Sequence, residues 1–203
     1  MTDKDNQQIT LPVFPLGDLV LPGELKELHI FEERYKEMMR DCLGNNASFG
    51  IVLGDKKKKG VSDFGVLVKV VRVFKTYPSG EMDILVEGKE IFKTLKYVSV
   101  LMPKLYGAAT VELMKSEDFI CSSQTVALYR QLLEIIDSQP AFEPDQLTVF
   151  ALAKALNLDK KEKLELISEF TKKRMEERIM DKIKMSIHIC KSEKKLNGDF
   201  WLN

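Results

Sequence analysis

The sequence has 203 residues, with 31 Lys and Arg balanced by 31 Asp and Glu and a hydrophobic fraction of 44%. That length supports one large domain or two small ones with a real core, and zero formal charge argues against a dedicated DNA-coating protein. The polar stretch through Gln8 lacks a secretory h-region, no apolar run nears the roughly 20 residues of a membrane helix, and three scattered cysteines (Cys42, Cys121, Cys190) suit reduced thiols, so a soluble cytoplasmic chain is expected.

Residues 1–8 read as a frayed tail. Leu11-Pro12-Val13-Phe14-Pro15-Leu16-Gly17, Leu21-Pro22-Gly23 and His29-Ile30-Phe31-Glu32-Glu33-Arg34-Tyr35 then form one organising stretch. Proline fixes φ and pushes its predecessor toward extended backbone, and Gly23 can supply a positive φ, so this stretch predicts strand, tight turn and short strand. A helix is predicted from Glu32 to Leu43, with Tyr35, Met38, Met39 and Cys42 at helical spacing and Gly44-Asn45-Asn46 as its stop. Phe14, Leu16, Ile30, Phe31 and Tyr35 are assigned to the core. Glu32 and Glu33 are expected to complement the helix dipole, and Arg34 to pair locally or hold the adjacent β-unit.

Phe49 to Gly54 reads as a buried strand, followed by a lysine-rich loop, Lys56-Lys57-Lys58-Lys59. Gly65 to Phe74 and Met82 to Gly88 read as a hairpin around Thr76-Tyr77-Pro78-Ser79-Gly80. A break at Glu87-Gly88 separates them from a strand over 90–100, which Met102-Pro103 interrupts. A last strand runs from about Tyr106 to Met114. From Ser116 the period becomes helical. Val126, Tyr129, Leu132, Leu133 and Ile136 share one face, and Gln139 to Pro144 is a linker. A second helix is capped by Asp145, with Leu147, Phe150, Ala151 and Ala155 on one side. Asp159 and Glu162 form a capping box before a helix with Leu164, Ile167 and Phe170 on its face. A long charged helix carries Met175, Ile179, Ile183 and Ile187 every four residues, and Phe200-Trp201-Leu202 closes the chain. The division expected is a tail over 1–8, a β domain over 9–115, a helical subdomain over 116–195 and a tail over 196–203. Segregation of strands from helices means an α+β fold.

Catalytic signatures are sparse. His29 and His188 lie far apart, in apolar sequence neighbourhoods and without carboxylates or cysteines at ligand spacing, so a structural role is expected for both. No phosphate-binding loop and no G-x-S-x-G elbow occurs. No catalytic residue, metal ligand or cofactor is assigned.

The three motifs of the opening stretch, continued by Phe49-Gly50-Ile51-Val52, the strand from Gly65 and Ile84-Leu85-Val86-Glu87-Gly88, resemble the N-terminal substrate-binding domain of ATP-dependent Lon proteases. The resemblance is closer to free-standing bacterial proteins made of that domain alone. It extends more weakly through Leu158 to Leu166, and it departs at Glu27 and Glu33, where the family often carries proline. It implies a PUA-like, mostly antiparallel β pseudo-barrel with one early helix, followed by a C-terminal helical bundle. The motif residues it marks are Pro12, Phe14, Pro15, Leu16, Pro22, Gly23, Phe31, Glu32, Arg34, Tyr35 and Gly88, all with structural roles. It further implies a non-catalytic module that binds unfolded or exposed apolar polypeptide segments and lacks the ATPase and peptidase domains. A peptidase name would then describe ancestry. The alternative is an RNA-binding PUA-like protein using Lys56, Lys57, Lys58 and Lys59 together with the basic segment Lys172-Lys173-Arg174.

Overall fold

Prolines shape the first strand, and the sheet is built around it. The computed structural model describes residues 8–55, 60–114, 119–139 and 147–199. β1 (Gln8–Leu16) pairs antiparallel with β6 (Gly107–Leu113) through Val13, and parallel with β3 (Phe49–Asp55) from Val13 onward. Pro12 lies in the part paired only with β6 and Pro15 in the part paired only with β3. Each proline thus has one unladdered side, where its missing N–H breaks no pairing.

β2 (Leu25–Ile30) does not pair with β1; it lies antiparallel to β5 (Met82–Val98). β5 also pairs with β4 (Gly60–Thr76) and with β6, so the order β5-β4-β3-β1-β6 returns to β5 and closes a barrel, with β2 added outside the ring. Among the described strands, only the β1–β3 ladder is parallel. The closed part buries Leu11, Val13, Val52, Phe92, Ala109 and Val111 as one cluster. Closure removes sheet edges, leaving open edges only where strands run beyond the ring.

Residues 82–98 form one strand where a break at Gly88 was expected. The ladder instead shifts register between Leu67↔Glu90 and Val68↔Gly88, and the turn before β2 crosses the strand there. Gly23 N–H donates to the Gly88 carbonyl at 2.9 Å and Gly88 N–H to the Glu24 carbonyl at 3.0 Å. A Cβ on Gly88 would stand 2.1 Å from the Leu21 carbonyl oxygen, so glycine is required by close backbone approach, not by a chain break. Gly23 itself has φ +76, the conformation the Pro-Gly turn predicts.

α1 (Glu33–Gly44) buries Tyr35, Met38, Met39 and Cys42, as its spacing predicts. Tyr35 meets Phe14 edge-on at 4.2 Å between ring centroids, which seats the helix on β1. Lys36 is also buried, its ammonium donating to the Ser79 carbonyl at 2.9 Å in the β4–β5 turn.

The helices after β6 are α2 (Ser123–Ile135), α3 (Val149–Ala155), α4 (Lys160–Ser168) and α5 (Lys172–Asp199). The chain divides into two compact units: the six strands, α1 and α4 form the first, and α2, α3 and α5 the second. Strand-to-helix order along the chain is therefore not the division in space.

Several predicted faces are rotated. α2 buries Thr125, Tyr129, Leu132 and Leu133, while Ile136 is its C-cap and exposed. α3 starts at Val149 with the Thr148 hydroxyl accepting from Ala151 N–H, so the cap is Thr148; Asp145 lies outside the described residues, as does most of the predicted linker. α4 opens with the predicted capping box: Asp159 accepts from Lys161 and Glu162 N–H, and Glu162 accepts from Asp159 N–H at 2.9 Å. Its buried face is Lys163, Leu166 and Ile167, in place of the predicted Leu164, Ile167 and Phe170. Phe170 adopts φ +52 just past the helix, which takes it off the α4 face. On α5, Met175, Ile179, Ile183 and Ile187 are all buried within the second unit, each contributing about 2 kcal/mol of burial energy.

Candidate polypeptide-binding surface

Between β5 and β6 the chain leaves the sheet for residues 99–106. α1 offers this loop two carboxylates one helical turn apart, Glu37 and Asp41. Leu105 N–H donates to Glu37 Oε2 at 2.8 Å, Lys104 Nζ lies 2.6 Å from Asp41 Oδ2, and the Tyr106 hydroxyl donates to the same Asp41 oxygen at 2.7 Å. Within the loop, Leu101 N–H donates to the Tyr106 carbonyl and Lys104 N–H to the Leu101 carbonyl. The hydrogen bonds from Lys104 and Tyr106 hold the Asp41 carboxyl below its ordinary value of 3.8. Burial, then the bond to Asp41, pushes the Tyr106 phenol up, so it stays a neutral donor.

The polar groups of the loop face inward to α1 and its apolar side chains face water. Met102 is 81% exposed, Leu105 56%, Val100 49% and Leu101 37%. Single exposed apolar residues are ordinary on protein surfaces, but four in an eight-residue loop fastened to a helix form a concentrated display. Anchoring lowers the ordering cost of binding, and an unbranched methionine at the tip adapts to varied apolar partners. Sequence reading marks Met102-Pro103 only as the end of a strand. Its missed signal is the density of apolar residues from Val98 to Leu105 in a segment with turn chemistry.

The motif residues are dispersed through the first unit. Phe14 and Tyr35 are buried, Leu16 is half-buried, and Pro22 bridges to Gly88. Glu32 is the N-cap of α1 without a side-chain cap bond; its carboxylate accepts from Arg34 Nε at 2.9 Å, and the guanidinium lies over the Tyr35 ring. Phe31 departs from its core assignment: it is 58% exposed, because it follows the last residue of β2 and stacks outside against His29, 5.9 Å between ring centroids.

His29 is likewise on the outer face of β2 and not in an apolar setting. Its Nδ1 lies 2.7 Å from Asp83 Oδ1, and the Tyr77 hydroxyl donates to Asp83 Oδ2 at 2.8 Å. These two bonds lower the Asp83 pKa. His188 is exposed on α5. Cys42 and Cys121 are buried free thiols that burial pushes up to about 11 and about 12, so neither is a thiolate nucleophile near neutral pH. Among the described residues, no three His, Cys, Asp or Glu side chains converge as a metal cluster. No described helix is long and apolar enough to cross a membrane.

Of the alternative RNA contacts, Lys56, Lys57, Lys58 and Lys59 lie outside the described residues. In the basic helical segment, Arg174 sits 4.0 Å from Glu169, and Lys172 lies close enough to Glu176 to act on its charge, so part of the positive charge there is compensated within the second unit.

A closed, mostly antiparallel barrel with an early helix, carrying a further helix from later in the chain and accompanied by a second helical unit, makes this an α+β protein. The chain belongs to the family of ATP-dependent protease La (LON) substrate-binding domains, which it matches over residues 10–184. Its fold is that of the Lon N-terminal domain protein from Xanthomonas campestris, at a TM-score of 0.69 and 22% identity, covering 85% of this chain and 98% of that one. It is also similar to the N-terminal domain of Mycobacterium avium complex Lon protease, with a TM-score of 0.62, 18% identity, and coverage of 87% and 98%. No curated protein sequence matches the chain.

Proposed function

We propose that this protein is a non-catalytic polypeptide-binding module that captures unfolded or exposed apolar segments on the loop over 99–106. The observation that carries this reading is the display of Val100, Leu101, Met102 and Leu105 on a backbone fastened to Glu37 and Asp41. Membership in a substrate-binding domain family supports it, as does the lack of a phosphate-binding loop or nucleophile elbow in the sequence. In this reading the barrel is a PUA-like scaffold, the second unit is a small helical bundle, and the protein acts in the cytoplasm without ATP.

The test is fluorescence anisotropy of a labelled, permanently unfolded carboxymethylated client titrated with the full chain, without nucleotide. Binding that drops at least fivefold in Met102→Ser/Leu105→Ser, with the fold intact by circular dichroism, is the expected result. Undiminished binding by that variant overturns the assignment of the surface, and no binding by the parent chain overturns the function.

A further inference from the structure

β2 is the one strand of the sheet that stands outside the closed ring, and its pairing is unusually regular. Six consecutive residues, Leu25 to Ile30, pair with Glu87 to Met82 without a shift. In an antiparallel pair every second residue spends its N–H and C=O on the neighbour while the others point the opposite way. Among the described residues no other strand pairs with β2, so its far side is an open ladder about 20 Å long.

A second open edge provides the contrast. Beyond Val68, β4 pairs only with β5, and there its register slips between Val70 and Arg72 and again between Val73 and Lys75. Bulges of this kind spoil an edge as a template, and Lys69, Arg72 and Lys75 add charge along it. β2 pairs without a bulge, and its one lysine, Lys26, is drawn to Asp18 at 2.7 Å.

The outer face of β2 alternates Leu25, Glu27 and His29, all exposed, over buried Leu28 and Ile30. A cleft of about 430 Å³ lies over the face that β2 shares with β5 and β4, on the side away from the open edge, lined by Glu27, Leu28, His29, Phe74, Asp83 and Ile84. Asp83 is occupied by His29 and Tyr77, whereas Glu27 makes no ion pair or hydrogen bond among the described residues. An unpaired carboxylate on an edge strand suits a cationic side chain directly opposite it on an added strand.

We propose that the open edge of β2 accepts an extended polypeptide segment as an added antiparallel strand, with a lysine or arginine of that segment held opposite Glu27. Backbone pairing gives sequence-tolerant affinity, and Glu27 biases the choice toward segments in which basic and apolar residues alternate. The proposal rests on the polypeptide-binding reading but uses a surface whose residues are separate from the loop over 99–106.

The test is amide hydrogen exchange of the full chain, read by NMR, with a capped peptide of alternating valine and lysine. Protection of every second amide of β2 by about tenfold or more is expected. Peptides N-methylated on alternate residues should split, one phase of methylation abolishing the protection and the other keeping it. Glu27→Lys, a solvent-facing change, should weaken the lysine peptide about fivefold and favour a valine–glutamate peptide by a similar factor. Protection confined to 99–106 overturns the strand addition while leaving polypeptide binding standing. No binding at either surface overturns both. Protection of β2 without peptide that grows with protein concentration assigns the edge to a second copy of the chain and overturns the proposal.

Discussion

Two irregular segments of the first unit are held by the same device and do opposite things with it. The turn over 17–24 is clasped by Lys163 of α4, whose ammonium donates to the Leu19 carbonyl at 3.1 Å and to Glu24 Oε1 at 3.0 Å. Glu24 Oε2 in turn accepts from Leu21 N–H at 2.9 Å. The loop over 99–106 is clasped by Glu37 and Asp41 of α1. In the first, Leu19, Val20 and Leu21 are 0, 0 and 1% exposed; in the second, the apolar residues stand in water. A helix charge that ties down a loop therefore does not decide where the loop's side chains go. In the turn the charges close a core, and in the loop they stiffen a display.

The largest effects should come from breaking the turn. Gly88→Ala forces a methyl against the Leu21 carbonyl, and the crossing backbone has no room to give. A loss of about 3 kcal/mol is expected in urea unfolding. Lys163→Met strands the Glu24 carboxylate in a mostly buried place and should cost about 2–3 kcal/mol, whereas the double change with Glu24→Gln should recover part of that loss.

The loop should be cheaper to damage. Asp41→Asn weakens the bond from the buried Tyr106 and should cost about 1 kcal/mol, while amide exchange over 99–106 speeds up and that of the turn does not. Acid should act in the same direction. A carboxyl whose folded pKa lies below 3.8 stabilises the folded loop above that value and loses the contribution as pH falls through the lowered one. Loop amides should thus hold at pH 5 and loosen only as pH falls below 3.8, a change that Asp41→Asn removes. Smallest in stability is Met102→Ser, within about 0.5 kcal/mol of the parent, because the side chain is already in water. Equal destabilisation by Met102→Ser and Lys163→Met would erase the contrast between display and core.

Most elements were legible in the sequence because they depend on local chemistry. The α1 stripe, the Pro22-Gly23 turn, the Asp159–Glu162 box and the α5 stripe all follow from periodicity or from one residue's backbone preference. Gly88 misled because the residue type that ends strands is also the type that lets another backbone cross one. Phe31 misled because an aromatic residue inside an apolar motif reads as core, and only its place after the last β2 residue turns it outward. The candidate surface was not legible at all. Met102 and Leu105 are ordinary core residue types, and the loop that carries them is fastened by Glu37 and Asp41, more than sixty residues earlier in the chain.

The sequence by itself determined most of the strands and helices, the Pro22-Gly23 turn and the Asp159–Glu162 box, and the family to which the chain belongs. These are short-range properties of φ, side-chain period and capping. Tertiary structure alone decided that β5 meets both β4 and β6 to close the barrel, that β2 is left outside with an open edge, and that α4 groups with the strands. Those choices are made by pairings between residues far apart in the chain, where burying one apolar face and satisfying one backbone ladder excludes the alternatives.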